Sequence, residues 1–275
     1  MAGPAGGLSA SSNSGVVPAK RLSKEEKRAR VLAVTVELIE SGELPITVEL
    51  KVDRLIELAG VPRSSTRRGW TNETFYLDVI RALVDPERIR SEILDEESVR
   101  RAQAVLVEHS VLMADEGRRR EVLRETVREA ITHYFRTTYR SVAWRTYAVL
   151  TASMPSMGKI HIQDDAREIL VAADGQTAEI FAGFYAMMLG IHGFRFKSGY
   201  DANIFAETVM GLIGGTAIRY TLGHRETDPL RLAGIGGTTT DWHPVAAGFL
   251  AIVEGMTELD PDFRPEGFPG PETVG

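Results

Sequence analysis

The chain contains no cysteine among its 275 residues. Disulfides, thiolate metal sites and cysteine nucleophiles are therefore excluded, which fits the reducing cytoplasm in which we expect the protein. Long apolar runs are also lacking. The most apolar stretch, residues 180–191, covers twelve positions, too few to cross a bilayer, and the first twenty residues lack the apolar core of a signal peptide. We expect no membrane partner.

Sequence motifs of common enzymes are missing as well. There is no Gly-x-Ser-x-Gly, no P-loop and no dinucleotide fingerprint, and the glycines at 234–237 have the wrong spacing for one. His161 lies near three acids, Asp164, Asp165 and Glu168. No histidine pair has ligand spacing, and acids suit the first turn of a helix. We expect no enzyme activity, cofactor or metal, with a metalloprotein or enzyme as the rival interpretation.

Charge is distributed unevenly along the chain. Residues 1–84 hold twelve Lys and Arg against ten Asp and Glu, whereas the rest holds 20 basic and 28 acidic residues. Residues 61–71 contain three arginines and no acid. This asymmetry indicates a small DNA-facing module on an acidic body, and a solvated basic loop is the alternative.

Local signals near the N-terminus predict two helices. Residues 1–19 are rich in Gly, Ala, Ser and Pro, and we predict that they are disordered. Ser23 and Glu26 have the spacing of a capping box, so a helix is predicted over 24–41, with Gly42 ending it. A second, short helix is predicted over 50–58.

A tight turn at 59–61 leads into a third helix, predicted over 62–70. The side chains of this helix are mostly polar or cationic, and Trp70 is its main apolar anchor. Because such a helix buries little, packing alone does not explain it. Guanidinium groups and hydroxyls are the groups that bind base edges and phosphates in a major groove.

The remainder of the chain is predicted to be helical. After a helix that begins near Asn72, the apolar periodicity predicts helices over 86–114, 117–140, 141–153, 163–195, 201–224 and 243–257. No convincing period of two indicates a strand, so we predict an all-α fold. Residues 224–241 are predicted to be a long connection, and residues 259–275 an unstructured tail. The domains are then 20–84 and 85–258.

Residues 28–80 resemble the N-terminal domain of the TetR family of transcriptional regulators. The resemblance is carried by residues in the family's order and spacing: Arg28, Val31, Leu32, Gly42, Val52, Leu55, Ala59, Gly60, Val61, Trp70 and Asn72. The remaining residues match only in being helical and of suitable length. The resemblance implies a three-helix helix-turn-helix domain followed by a helical ligand-binding and dimerisation domain.

Several positions depart from the family pattern. Lys51 stands where the family commonly has Thr, Pro62 where it has Ser, Arg67 where it has a phosphate-contacting Tyr, and Glu73 where it has Lys. Arg67 can bind a phosphate bidentately. Glu73 suits the helix dipole but would repel a phosphate, so the family's lysine role is not transferred to it.

The resemblance implies a repressor that binds double-stranded DNA as a homodimer and is released by a small-molecule effector. The expected DNA-binding residues are Lys51, Arg63, Ser64, Ser65, Thr66, Arg67, Arg68 and Trp70, with Lys20, Arg21 and Lys24 as a possible basic arm. Simple solvation of these cations is the alternative. A further alternative is a dimeric ligand-binding or interaction protein of the same fold that has lost specific DNA binding.

Two further sets of residues follow from the resemblance. The last two long helices would form the dimer interface, and the expected contact residues are Met210, Gly211, Leu212, Gly214, Gly215, Ala217 and Ile218. The expected effector-pocket residues are His133, Tyr134, Trp144, Tyr147, Phe181, Phe184, Tyr185, Met188 and His192. The alternative in both cases is that these side chains belong to the subunit's own core.

Overall fold

The computed structural model describes residues 22–46, 50–85, 95–154, 160–223 and 228–265. The protein is mostly helical, as predicted. The predicted disorder of residues 1–19 and the basic side chains of Lys20 and Arg21 lie outside the described residues. No helix within the described ranges is both long enough and apolar enough to cross a membrane.

Four helices form the N-terminal unit: α1 (Lys24–Glu40), α2 (Val52–Leu58), α3 (Arg63–Thr66) and α4 (Asn72–Leu83). The predicted capping box at Ser23 and Glu26 is present, and Gly42 follows α1 with a φ of 78°. Thr71 caps α4 by accepting a hydrogen bond from the Thr74 N–H, and Thr74 bonds back to the Thr71 N–H. Caps of this kind satisfy amides that the helix leaves unpaired.

Six further helices follow in the described residues: α5 (Glu96–Glu108), α6 (Glu116–Thr138), α7 (Val142–Ser153), α8 (Ile160–Ile191), α9 (Ala202–Thr221) and α10 (Pro244–Met256). A 3-10 helix (Ser110–Ala114) joins α5 to α6, so the predicted helix over 86–114 is interrupted after residue 108. α8 ends at Ile191, and Gly193, two residues later, has a φ of 74°. The prediction that this helix continues to residue 195 is therefore wrong.

Four short strands correct the prediction that no part of the chain is extended. β1 (Phe194–Phe196) pairs antiparallel with β4 (Thr257–Leu259), and β2 (Leu230–Ala233) pairs antiparallel with β3 (Thr239–Trp242). The second pair is a hairpin within the segment predicted to be an irregular connection. Its turn is fixed to the body because the Gly236 N–H donates a 2.8 Å hydrogen bond to Glu121 on α6.

The predicted C-terminal tail begins too early. The Asp260 N–H donates to the Gly193 carbonyl at 2.9 Å, continuing the β1–β4 contact beyond the strand. The ring of Phe263 lies 4.8 Å from the guanidinium carbon of Arg119. Residues 260–265 are therefore held against the body, and the rest of the predicted tail lies outside the described residues.

The first hydrophobic core spans the N-terminal unit and part of the body. Phe75, Tyr76, Val79 and Ile80 of α4 are fully buried in it. Its members after residue 84 come from α7, from the residue that follows it and from the first half of α8: Leu150, Met154, Ile162, Ala166, Leu170 and Ala173. The boundary that the sequence places near residue 84 is therefore not a boundary in packing.

The second core lies among α6, α9, α10 and the second half of α8. It is rich in aromatic rings that meet edge to face, such as Phe205 with Tyr185 at 5.3 Å and with Phe249 at 5.8 Å. Phe181, Tyr185 and Leu189 are its contribution from α8. One helix thus supplies buried residues to both cores, the first through residues 162–173 and the second through residues 181–189.

Candidate functional site

The turn between α2 and α3 is built by three residues with different tasks. Ala59 and Val61 are buried, and Gly60 takes a φ of 65°, a backbone conformation that favours glycine. Thr66 at the end of α3 is also fully buried, and its hydroxyl donates to the Pro62 carbonyl at 2.8 Å. The prediction that Thr66 faces DNA is wrong, because its side chain points into the protein.

Trp70 is a second correction to the expected DNA-binding set. It is 5% exposed, its ring meets Phe75 at 5.1 Å, and its indole N–H donates to Asp78 at 2.8 Å. The Arg28 guanidinium carbon lies 4.5 Å from the centre of the Trp70 ring. Trp70 therefore anchors the segment after α3 rather than presenting a side chain to a ligand.

The predicted helix over 62–70 is a single turn, α3. After it, Gly69 has a φ of 84°, which turns the chain toward α4. A Cβ at Gly69 would lie 3.2 Å from Arg28 Nη2, and that nitrogen donates to the Arg68 carbonyl at 2.9 Å. The positive φ and the close approach of Arg28 end the helix at this point.

Asp53 on α2 binds two of the predicted DNA-facing arginines. The Arg63 guanidinium contacts it through Nη2 at 2.9 Å and Nε at 3.0 Å, and Arg67 Nε lies 3.2 Å away. The hydrogen bond from Arg63 is the main reason that the pKa of Asp53 is lowered from its usual value, and the positive charges of Arg63 and Arg67 act in the same direction. No local pattern near these residues predicted that Asp53 binds both arginines.

The remaining predicted residues of this surface differ in exposure. Lys51, Ser64 and Arg68 are exposed. Ser65 is half-buried, and its hydroxyl lies 3.3 Å from Lys27 Nζ on α1. α2, α3 and the residues beside them thus present a cationic and hydroxyl-bearing surface, which we call the α3 surface: Lys51, Arg63, Ser64, Ser65, Arg67 and Arg68.

An apolar cavity of about 80 Å³ lies among α5, α6, α8, α9 and α10. Of the expected pocket residues, six line it: Tyr134, Phe181, Phe184, Tyr185, Met188 and His192. Burial raises the pKa of Tyr134 to about 12 and raises the pKa of Tyr185 well above its usual value. Both phenols are therefore neutral at physiological pH.

His192 supplies buried polarity beside this cavity. Its Nδ1 lies 2.8 Å from the Met188 carbonyl and its Nε2 lies 3.0 Å from the Thr126 hydroxyl. Burial lowers the pKa of His192, against the smaller opposing effect of the Met188 carbonyl. Since a carbonyl only accepts, the neutral ring carries its proton on Nδ1, and its Nε2 faces the Thr126 hydroxyl, which also lies 3.0 Å from the Val122 carbonyl.

A larger cavity of about 470 Å³ lies among α6, α7, α8 and α9, and Leu83 at the end of α4 lines it too. We call it the α7–α9 cavity. Tyr134, Trp144, Tyr147, Phe181 and Tyr185 are the expected pocket residues on its wall. Eight of the nine expected residues therefore line one cavity or both, and Tyr134, Phe181 and Tyr185 are shared between them.

His133 is the exception, and it lines neither of these two cavities. It borders a third, about 450 Å³ in volume, and its Nδ1 lies 2.8 Å from Asp95 and 3.1 Å from the Ser98 hydroxyl. Burial is the largest single influence on the pKa of Asp95 and raises it. Hydrogen bonds from Ser98, the Glu97 N–H and His133 together outweigh burial, so the pKa is lowered overall. Ser, His and Asp do meet here.

The arrangement of these three side chains differs from a nucleophilic triad. Ser98 Oγ donates to Asp95 at 2.7 Å, and both residues contact the same ring nitrogen of His133. In a triad the histidine uses one nitrogen for the nucleophile and the other for the acid. In the described part of the chain, no three His, Asp or Glu side chains are grouped as a metal ion would need.

The predicted dimer residues on α9 divide between surface and interior. Gly211 and Gly215 are exposed, and Ile218 is 46% exposed. Ala217 is fully buried, so its predicted place in a dimer interface is wrong. Met210, Gly211 and Gly214 line the α7–α9 cavity, and Leu212 lies 3.3 Å from the Cβ position of Gly248 on α10.

Comparison with family models, with curated proteins and with solved structures gave no match to this chain. The resemblance to the TetR family therefore stands on the residues of the N-terminal unit that carry it.

Proposed function

We propose that the chain is a sequence-specific DNA-binding transcriptional regulator that acts as a homodimer and responds to a small molecule. The observation that carries this proposal is the α3 surface. It places exposed guanidinium and hydroxyl groups on one short element, while Thr66 and Trp70 hold that element from the inside. Exposed groups of this kind contribute little to packing, and they are the groups that bind the bases and phosphates of a nucleic acid.

In this proposal α3 enters the major groove. Only the first turn of a recognition helix needs to reach the base edges, so a helix of four residues is long enough. Arg63 and Ser64 stand at its start and are exposed. Arginine reads guanine bidentately, whereas Arg68 and Lys51, which flank α3, are suited to phosphate contacts.

Asp53 has a defined part in this recognition. Because it binds Arg63 through two nitrogens and Arg67 through one, it restricts the directions in which the two guanidinium groups point. An ordered side chain loses less conformational entropy on binding. Its carboxylate also repels a nearby phosphate, so the arrangement favours a base contact by Arg63 over nonspecific backbone contact.

The homodimer would form on α9 and α10. Gly211, Gly215 and Ile218 are exposed on α9, and Ala251 and Gly255 are exposed on α10, which packs beside it. Small residues let the helices of a second copy approach closely. A two-fold axis at this face would direct the two α3 surfaces toward half-sites about 34–36 Å apart, or one turn of DNA.

The effector would act through the helices that surround the α7–α9 cavity. Leu83 belongs to α4 of the N-terminal unit and lines this cavity, so a ligand there can touch the helix that follows the α3 surface in the chain. A ligand changes DNA affinity only if it binds one arrangement of the dimer better than another. Coupling of about 3 kcal/mol changes affinity roughly 150-fold. We propose release from DNA as the outcome.

A second candidate is a dimeric ligand-binding protein of the same architecture without specific DNA binding. Two observations favour it: two of the three arginines of residues 61–71 are paired with Asp53, and Glu73 is exposed in the first turn of α4. Both place negative charge near the surface that would meet a phosphate.

Binding to the DNA upstream of the protein's own gene separates the two candidates. Specific binding should survive excess nonspecific DNA and fall linearly in log affinity with log salt. Arg63→Ala should relax preference at particular bases, and Arg68→Ala should weaken binding to all sequences and reduce the salt slope by about one. Arg167→Ala removes an exposed arginine of the body and should change neither. Equal and weak binding by all four proteins would contradict the regulator and favour the second candidate.

A further inference from the structure

We propose that the α7–α9 cavity binds a lipophilic organic cation, with Asp174 and Glu207 as its anionic groups. This inference rests on the proposed function, since the ligand would be the effector. The size of the cavity selects it over its neighbour. Ligand pockets for drug-sized molecules measure roughly 300–1,000 Å³. The α7–α9 cavity, at about 470 Å³, lies within this range, whereas the apolar cavity beside His192, at about 80 Å³, does not.

The charge of the cavity wall determines whether a cation or an anion is favoured as the ligand. Asp174 on α8 and Glu207 on α9 line the cavity, and the described residues of its wall include no lysine, arginine or histidine. Within the described part of the chain, neither carboxylate has a cationic partner. Both residues are exposed, and no cationic side chain of the described wall offsets their two formal negative charges. They attract a cation and oppose the entry of an anion of the same shape.

The aromatic residues of the wall suit the same ligand. Trp144 and Tyr147 of α7 line the cavity together with Tyr134 of α6 and Phe181 of α8, whose rings meet edge to face at 6.1 Å. Aromatic faces attract cations electrostatically and also bury apolar surface. A small hydrophilic cation such as a metal ion would use only the carboxylates. A lipophilic cation uses both features of the wall, and this favours it.

Tyr147 orients one of the two carboxylates. Its hydroxyl donates a 2.7 Å hydrogen bond to Asp174 Oδ1. Burial, and then the neighbouring Asp174, raise the pKa of Tyr147, so the phenol keeps its proton and remains the donor. This bond fixes the direction of the Asp174 carboxylate at the edge of the cavity. Asp174 Oδ2 has no hydrogen-bond partner among the described residues and can face the ligand.

Tetraphenylphosphonium and tetraphenylborate are suitable probes, because they have nearly the same size and shape and opposite charges. Titration of the full chain without DNA, followed by calorimetry and by quenching of tryptophan fluorescence, should show binding of the phosphonium ion. Tetraphenylborate should bind at least about tenfold more weakly. Equal binding of the two ions, or tighter binding of the borate, would overturn the proposal.

Substitutions that neutralise the two carboxylates test whether the cation binds in the α7–α9 cavity. Asp174→Asn with Glu207→Gln should weaken phosphonium binding about tenfold or more and strengthen borate binding. Asp165→Asn with Glu168→Gln removes the same charge from exposed positions of α8 outside the cavity and should leave the preference unchanged. Glu207 makes no hydrogen bond within the described residues, so Glu207→Gln alone keeps the fold testable and should still weaken phosphonium binding about threefold. Unchanged binding by the double variant would place the cation elsewhere.

The two proposals fail in different experiments. DNA binding by the protein without any added ion tests the regulator, and the ion titration without DNA tests the cavity. If DNA binds specifically and the phosphonium ion does not bind, the cation site is wrong and the regulator stands. If the phosphonium ion binds at the cavity and no DNA binds, the cation site stands and the regulator is wrong.

Discussion

The two hydrophobic cores of this protein are built in different ways. The first packs short helices with tight turns, and its specificity comes from local devices such as the Thr71 cap and the turn at Gly60. The second packs long helices through interlocking aromatic rings such as Phe205, Tyr185 and Phe249. α8 belongs to both. A surface can therefore be positioned by local interactions, while its position relative to a distant cavity is set by one shared helix.

The largest expected effects come from removing a ring from either core. Phe75→Ala in the first core and Phe135→Ala in the second should each lower the free energy of unfolding by about 3–5 kcal/mol, because both rings are fully buried. Denaturant titration followed by circular dichroism measures this loss. Phe→Leu at each position should cost roughly 1.5 kcal/mol or less.

The Phe75→Ala protein also tests whether α8 couples the two cores. If it does, hydrogen exchange in the Phe75→Ala protein should speed up in the second half of α8 as well as in α4. Faster exchange limited to residues 22–85 would show that the first core opens independently, and the comparison of two coupled cores would then fail.

Substitutions at two glycines should change the stability by smaller amounts and in opposite directions. Gly69→Ala should destabilise the protein by about 1–2 kcal/mol, because Gly69 has a φ of 84° and a Cβ there would approach Arg28. Gly183→Ala on α8 should stabilise it by roughly 0.5–1 kcal/mol, because Gly183 is helical and a Cβ there would meet nothing within 4 Å. Thermal melting of the two variants measures both changes. Shifts of the same sign would contradict the backbone argument.

Acid should destabilise the protein through His192. The folded-state pKa of His192 is lowered by burial, so the unfolded chain takes up this proton first. The free energy of unfolding should therefore fall as the pH drops below about 6.5, by at most about 1.4 kcal/mol per pH unit for one proton. Urea titrations between pH 7.5 and 5 should show this slope in the wild type and a smaller one in His192→Gln. Equal slopes would assign the acid sensitivity to another group.

Small effects are also expected from helix caps. Thr71 accepts the Thr74 N–H at 3.0 Å in the N-terminal unit, and Asp201 accepts the Ile204 N–H at 2.9 Å in the body. Thr71→Ala and Asp201→Ala should each cost about 1 kcal/mol. Similar losses in global unfolding would agree with coupled cores. A loss from Asp201→Ala alone would indicate that α4 is not part of the global transition.

The sequence was most informative where the determining interactions are local. The Ser23 capping box, the end of α1 at Gly42 and the turn at Gly60 each depend on residues within one helical turn, so their patterns were readable. The mostly helical fold followed from the 3.6-residue periodicity of the long helices. The length of α3 was overestimated because the positive φ of Gly69 ends the helical conformation soon after Thr66.

Interactions between distant residues escaped prediction. Asp53 lies ten positions before Arg63 and belongs to another helix, so nothing in either segment signals their pairing. The β1 and β4 strands are three residues each and pair across 63 positions, too short for a visible alternation. His133 looked like a pocket residue because of its type, and its bond to Asp95 depends on how α5 packs against α6.

α8 also determines which fragments of this protein can keep a complete hydrophobic core. At 1.5 Å per residue its 32 residues extend about 48 Å. A fragment that ends at residue 85 would keep α1 to α4 but lose Leu150, Ile162 and Leu170, and the apolar surface they cover would face water. The N-terminal unit is therefore not a transferable module. Grafting it onto another protein should require the first half of α8 to travel with it.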